Sequence, residues 1–236
     1  MTWGIYETTS FGSYLPDGEY VGYDEGLKHY YYEVMSDADK EPFEKSGGRH
    51  ITYSRYVTKK FVEDTGYMQD GLPLAGPVLD HEAPKEFRLV KKPSKGLSAM
   101  MQLGYRAVSE ELKTAIEALD PGVHDFWPVR ITLPKGEEWP ELYYTIRIGC
   151  YLESFRPEES DDGSWRTRNQ KSYYVDMPNK KCFSGLAMSQ SVIGSSHLWK
   201  ERSLRRPEFC MSDEMAAAFK KAGFTGSKLY KLKDVS

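Results

Sequence analysis

Two stretches of this chain carry the same hydrophobic pattern. Apolar residues stand at Leu112, Ala115, Ile116 and Leu119 in one, and at Met215, Ala218, Phe219 and Ala222 in the other. Both follow the i, i+3, i+4, i+7 spacing that lines one face of an α-helix. Each run begins at a serine, Ser109 or Ser212, whose hydroxyl suits an N-cap. Two acids follow each serine, Glu110-Glu111 and Asp213-Glu214, where the positive end of the helix dipole favours them. Pro121-Gly122 and Gly223 stop the two runs, and an extended segment follows each, Phe126 to Thr132 and Ser227 to Leu232. The pattern predicts two short amphipathic helices, each leading into a strand, as two repeated helix-strand units.

Elsewhere the period is two. Leu142, Tyr144, Ile146, Ile148 and Cys150 alternate with Tyr143, Thr145 and Arg147, which predicts a strand with one apolar face. It pairs with Trp127 to Leu133 across the turn PKGEEWP as an antiparallel hairpin. Glu86 to Val90 and Ser172 to Met177 read as further strands, and Lys91 to Gly96 as a basic loop. The Tyr- and Gly-rich stretch from Met1 to Lys40, including His29 to Met35, reads as weak strands. Ser36 to Gly48 reads as a loop, and Arg49 to Val57 as a half-buried strand. Thr65 to Pro84 holds three prolines and three glycines, so it reads as ordered loop or a boundary. The expected fold class is α+β: a mainly antiparallel sheet with two short amphipathic helices packed on it. The expected organisation is a β-rich region over 1–90 and an α+β domain over 91–236, or one continuous domain.

Composition narrows the function. With 39% hydrophobic and 14% aromatic residues the 236-residue chain can bury a core, which excludes wholesale disorder. A net charge of −3 leaves no global basic field for a phosphate backbone, so no nucleic-acid partner is expected. Cys150, Cys182 and Cys210 are too few and too scattered for a disulfide framework. The N-terminus lacks a basic-then-apolar leader, and no apolar run reaches the ~18 residues a membrane helix needs. A cytoplasmic protein with no membrane contact is expected.

Candidate chemistry is sparse. The histidines at 29, 50, 81, 124 and 197 show no ligand spacing, and adjacent Asp80, His81 and Glu82 point different ways, so no metal is expected. Ser195, Ser196 and His197 are too close in sequence for an activated nucleophile pair, which joins separate segments. No phosphate-cradling glycine motif occurs, and no cofactor or catalytic residue is assigned. Lys200, Arg202, Arg205 and Arg206 beside Trp199 form the one basic cluster, suited to a phosphate or an acidic partner or to pairing with local acids. Glu158, Glu159, Asp161 and Asp162 form an acidic loop with Trp165 inside it, the residue types that complement a basic protein partner.

One resemblance organises these readings. The C-terminal pattern His197, Leu198, Trp199, then Phe209, Cys210, Ser212, then Ala222, Gly223, Phe224, Thr225 and Gly226 resembles the bacterial polymorphic-toxin immunity family catalogued as immunity protein eleven. Val108 to Leu112 and Phe126 to Arg130 are similar to the middle pattern of that family, and the likeness runs from Leu97 to Leu232. The resemblance implies a non-enzymatic protein that binds and neutralises a cognate secreted or contact-delivered toxin. Two other readings stay open: an enzyme reversing a toxin's modification through His197, Asp125 or Asp176, and a protein-binding scaffold unrelated to toxins.

Overall fold

The computed structural model describes residues 1–62, 76–169, 172–177, 179–207 and 209–236. The chain opens with strands β1 (Thr2–Tyr6) and β2 (Gly18–Tyr20) and then turns helical. Helix α1 (Tyr23–His29) runs into a π-helical turn (Tyr30–Val34), followed by α2 (Asp37–Lys45) and α3 (Arg49–Val62). Next come β3 (Glu86–Leu89), β4 (Met100–Leu103), β5 (Tyr105–Ser109), α4 (Glu110–Leu119), β6 (Asp125–Thr132), β7 (Tyr143–Arg147) and β8 (Tyr151–Leu152). The last third carries β9 (Trp165–Asn169), β10 (Ser172–Val175), α5 (Lys180–Ser184), β11 (Ala187–Ser189), α6 (Gln190–Ile193) and β12 (Leu198–Glu201). It closes with β13 (Phe209–Ser212), α7 (Asp213–Lys221), β14 (Lys228–Lys231) and β15 (Lys233–Val235).

The fold is α+β, with a six-stranded sheet ordered β2-β3-β6-β7-β5-β4 and a five-stranded sheet ordered β14-β1-β13-β12-β8. Strands β3 with β6 and β12 with β8 run parallel, and the other neighbours in these two sheets run antiparallel. The predicted hairpin forms as β6 on β7, Phe126 facing Ile146 and Val129 facing Tyr143. Tyr143 and Thr145 are buried while Leu142 is 58% exposed, so β7 is covered on both faces and not on one.

Both predicted helices form with the predicted caps: Ser109 Oγ accepts from Leu112 N–H and Ser212 Oγ from Met215 N–H. The units around them are alike beyond the helices. In each, a strand ending in the capping serine leads into the helix, and the next strand returns parallel to it with one antiparallel strand between them. Ser109, Val108 and Ala107 face Tyr143, Tyr144 and Thr145 of β7. Ser212, Met211 and Cys210 face Thr2, Trp3 and Gly4 of β1 in the same register. The strands on the other side of β5 and β13 match too, Met100 facing Val108 and Leu198 facing Met211. The five pairs this defines are Met100 and Leu198, Val108 and Met211, Leu112 and Met215, Ile116 and Phe219, Ile146 and Ile5. All ten lie in one buried cluster between the two units. Burial of each contributes roughly 2 kcal/mol, against about 1 kcal/mol for a cap. The shared core therefore holds the units together, and the caps only set where the helices begin.

A polar joint links the end of one unit to the start of the other. Asp120, at the C-terminal end of α4, accepts from His197 N–H through Oδ1 (3.1 Å) and from Leu198 N–H through Oδ2 (2.8 Å). The corresponding position after α7 is Gly223, whose carbonyl accepts from Ala99 N–H (3.3 Å). His124 completes the joint: Nδ1 accepts from Gly149 N–H (3.2 Å), so Nε2 carries the proton and faces Asp120 Oδ2 (3.3 Å). Burial pushes the His124 pKa below the ordinary imidazole value, against the pull of Asp120. The unfolded chain therefore takes the proton first, so this group's contribution is full above about pH 6.5 and is lost as pH falls. Between pH 7.5 and 5, thermal unfolding of the wild type is expected to shift down further than that of His124→Gln. Equal shifts would remove His124 as the source.

The N-terminal stretch departs from the expected strands. Ser36 to Gly48 is mostly helix α2, with Ser36 Oγ accepting from Asp39 N–H (3.3 Å), and His29 to Met35 is helical to Val34. Arg49 to Val57 is the start of α3, whose buried residues Tyr53, Tyr56, Val57, Lys60 and Phe61 keep a helical period. The aromatic and β-branched residues there favour strands locally, and a lysine at an interior position breaks the visible stripe. Packing of Tyr53, Tyr56, Val57 and Phe61 with Leu27, Tyr31 and Phe43 decides for helix. Of the expected Thr65 to Pro84 loop, residues 65–75 lie outside the described residues; the remainder holds a 3-10 turn, Asp80–Glu82. Buried beside that turn, Lys60 Nζ reaches both oxygens of Glu82 (2.7 Å each), and Glu82 also accepts from Leu79 N–H (2.7 Å) and Tyr53 O–H (3.1 Å).

Candidate partner-binding surface

The acidic loop is an ordered turn. Pro157–Glu159 forms a 3-10 turn, Asp161 N–H donates to Gly185 O (2.8 Å), Ser164 N–H to Asp161 O (3.1 Å) and Ala187 N–H to Ser160 Oγ (2.8 Å). Glu158, Glu159, Asp161 and Asp162 are all exposed on it. Lys233 Nζ ties the turn to β15 through Asp161 Oδ1 (2.9 Å) and Glu159 O (2.9 Å). At surface exposure this pair is worth under about 1 kcal/mol, so the backbone bonds set the shape. Gln170 and Lys171, further along the same stretch of sequence, lie outside the described residues.

Trp165 is less free than its acidic neighbours suggest. It begins β9 and packs edge-on against Tyr173 (5.1 Å between ring centres) and Phe155 (6.4 Å), leaving it half-buried. Behind it, the buried Glu201 carboxylate accepts from Ser154 N–H and Oγ–H, Phe155 N–H (3.2 Å) and Trp199 Nε1–H (3.0 Å). Burial raises the Glu201 pKa, and the four donors oppose that rise. This carboxylate fixes the backbone that enters the acidic turn.

The basic cluster divides. Trp199 is fully buried, and Lys200 is buried with Nζ on Val62 O (2.8 Å). Arg202, Arg205 and Arg206 are exposed. The residues named for possible catalysis sit in three separate arrangements. Asp125 pairs with Arg147 (2.8 Å), Asp176 with Arg166, and His197 Nδ1 with Ser212 Oγ (2.8 Å) and Glu214 (3.8 Å). Ser196 Oγ takes its contact from Cys150 Sγ (3.6 Å) instead of His197. Of the Asp80-His81-Glu82 triplet, His81 Nε2 is bonded to Tyr53 O–H (2.8 Å) and Glu82 to Lys60. Among the described residues no group of three His, Cys, Asp or Glu is placed to hold a metal ion. No helix among them is long and apolar enough to cross a membrane.

Comparison with known protein families matches the immunity protein family, Imm11, over residues 34–234. The chain belongs to the Imm11 immunity protein family. The match reaches back through α2 and α3, into the N-terminal third where the sequence patterns alone gave no likeness, and it takes in the acidic turn and both units of the fold apart from β1. No curated protein matches the chain. Membership in Imm11 associates the chain with toxin immunity in general. The residues most telling for shape, Asp120, Lys60 and Glu82, carried no sequence signal of their own: each reads as an ordinary surface charge until its burial is known.

Proposed function

We propose that this Imm11 protein is a cytoplasmic immunity protein that binds the folded domain of a cognate secreted or contact-delivered toxin and blocks its active site without chemistry of its own. The observation that carries this reading is the Imm11 match over most of the chain; the pre-ordered acidic turn supports a binding role. A basic toxin face, such as that of a nuclease, is complemented by Glu158, Glu159, Asp161 and Asp162, with the exposed edge of Trp165 at their margin. A turn already ordered before binding avoids part of the entropy cost of association.

Co-expression with the toxin encoded beside it is the test: cells survive with this protein and die without it. Reversing the four acids to lysine is expected to slow association about tenfold or more and to weaken inhibition, most at low salt. Equal killing with and without the soluble protein sinks the function; an unchanged inhibition constant for the reversed variant removes the turn from the interface.

A further inference from the structure

The arginines of the basic cluster acquire a setting that the sequence did not show. Residues 203–206 run alongside β10 as a third strand: Tyr173 N–H donates to Ser203 O (2.8 Å), Arg205 N–H to Tyr173 O (2.7 Å) and Val175 N–H to Arg206 O (3.2 Å), with Leu204 bridged to Tyr173 in parallel. The other side of β10 pairs with β9, Arg166 facing Tyr174. Trp165, Tyr173, Val175 and Leu204 all turn inward to one core cluster. Alternation therefore sends Arg166, Tyr174 and Arg205 outward as one row across the ribbon. Arg166 is neutralised by Asp176. No hydrogen bond or ion pair engages the side chains of Arg205 and Arg206 among the described residues. Arg206 stands at the rim of a cavity of about 270 Å³ walled by Val175, Phe183, Pro207, Thr8 and Thr9. Glu7 and Arg106 line the same cavity, where the Arg106 guanidinium pairs with Glu7 and lies over the Phe209 ring.

We propose that this ribbon is a second half of the toxin-binding face, in which Arg205 and Arg206 take an acidic segment of the partner and the cavity beside Arg206 receives one of its carboxylate side chains. This rests on the immunity reading and deepens it. Two unpaired guanidiniums offer bidentate geometry to carboxylates, Tyr174 supplies a flat contact beside Arg205, and a side-chain-sized hollow is where interface energy concentrates. The acidic turn lies at the end of the same ribbon: Asp176 N–H donates to Ser164 O (2.9 Å), one residue before β9. A nucleic acid following the arginines would meet Glu158, Glu159, Asp161 and Asp162, whose charge repels it. A protein surface carrying acid opposite the ribbon and base opposite the turn matches both, and like charges facing each other exclude wrong partners.

The test uses the full chain and a fluorescein-labelled deca-glutamate peptide, read by fluorescence anisotropy at low salt, with a ten-nucleotide oligothymidylate as the rival anion. The peptide is expected to bind the wild type. Arg205→Glu with Arg206→Glu is expected to weaken that binding at least about tenfold, with thermal unfolding unchanged because both side chains are exposed. The double lysine variant, which keeps charge and loses the fork, is expected to fall between. Absence of peptide binding to the wild type, equal binding by the reversed variant, or tighter binding of the oligothymidylate overturns the proposal. In co-expression the reversed variant is expected to lose protection where the wild type protects. A wild type that fails to protect sinks the immunity reading and leaves the peptide result to stand or fall by itself.

Discussion

Lys60→Met is expected to destabilise the protein by about 3–5 kcal/mol, the cost of leaving one member of a buried ion pair without its partner. The Lys60 and Glu82 side chains are only 5% and 1% exposed, so water cannot replace the lost ammonium. Glu82 would retain the bonds from Leu79 N–H and Tyr53 O–H, which are too few for a charge at that depth. A second change, Glu82→Gln, removes the charge and keeps an acceptor for those donors, so the double variant should recover a large part of the loss. Urea unfolding of the two variants measures this directly. A loss below about 1 kcal/mol for the single variant would mean that the carboxylate reaches water and that α3 is not pinned to the 3-10 turn in this way.

Asp120→Ala is expected to cost about 3 kcal/mol, because it strands the buried Leu198 N–H, the part-buried His197 N–H and the Nε2 proton of His124 together. Asp120→Asn keeps one oxygen and turns an NH₂ toward the other donors, so its loss should be smaller but clear. A double-mutant cycle with His124→Ala should show coupling of 0.5 kcal/mol or more, as for groups in one hydrogen-bonded network. Additive losses would place the two residues in independent roles. Since Asp120 joins the first unit to the opening of the second, the unfolding transition should stay cooperative in the wild type and broaden in Asp120→Ala.

Helices α4 and α7 were legible because every local signal agreed: serine cap, acids in the first turn, a period near 3.6 and a glycine stop. The hairpin of β6 and β7 was legible from period two, although Tyr143 and Thr145 turned out to face a second core. Helix α3 was not, because the sequence reports intrinsic preference while Tyr53, Tyr56 and Phe61 are held by contacts with distant aromatics and Lys60 hides among them. The same limit governs the surface. Charge and exposure of the acidic turn could be read in order along the chain. The row Arg166, Tyr174 and Arg205 could not, since it is assembled from two separated segments by strand pairing. Repetition was half visible: the offset between the two helices is in the sequence, but β1 standing in the place that β7 holds in the other unit follows only from register.

That placement of β1 bears on how the chain is made. The strand leaves the ribosome well ahead of its two neighbours, β13 and β14, which follow more than 200 residues later in the chain. The five-stranded sheet therefore cannot close before β13 and β14 are made, and Ile5, a side chain of the shared core, stays wet until they arrive. Closing such a distant pairing is slow. A nascent chain stalled before Phe209 would hold β1 bare and the shared core half-filled, a target for chaperones until the second unit is made.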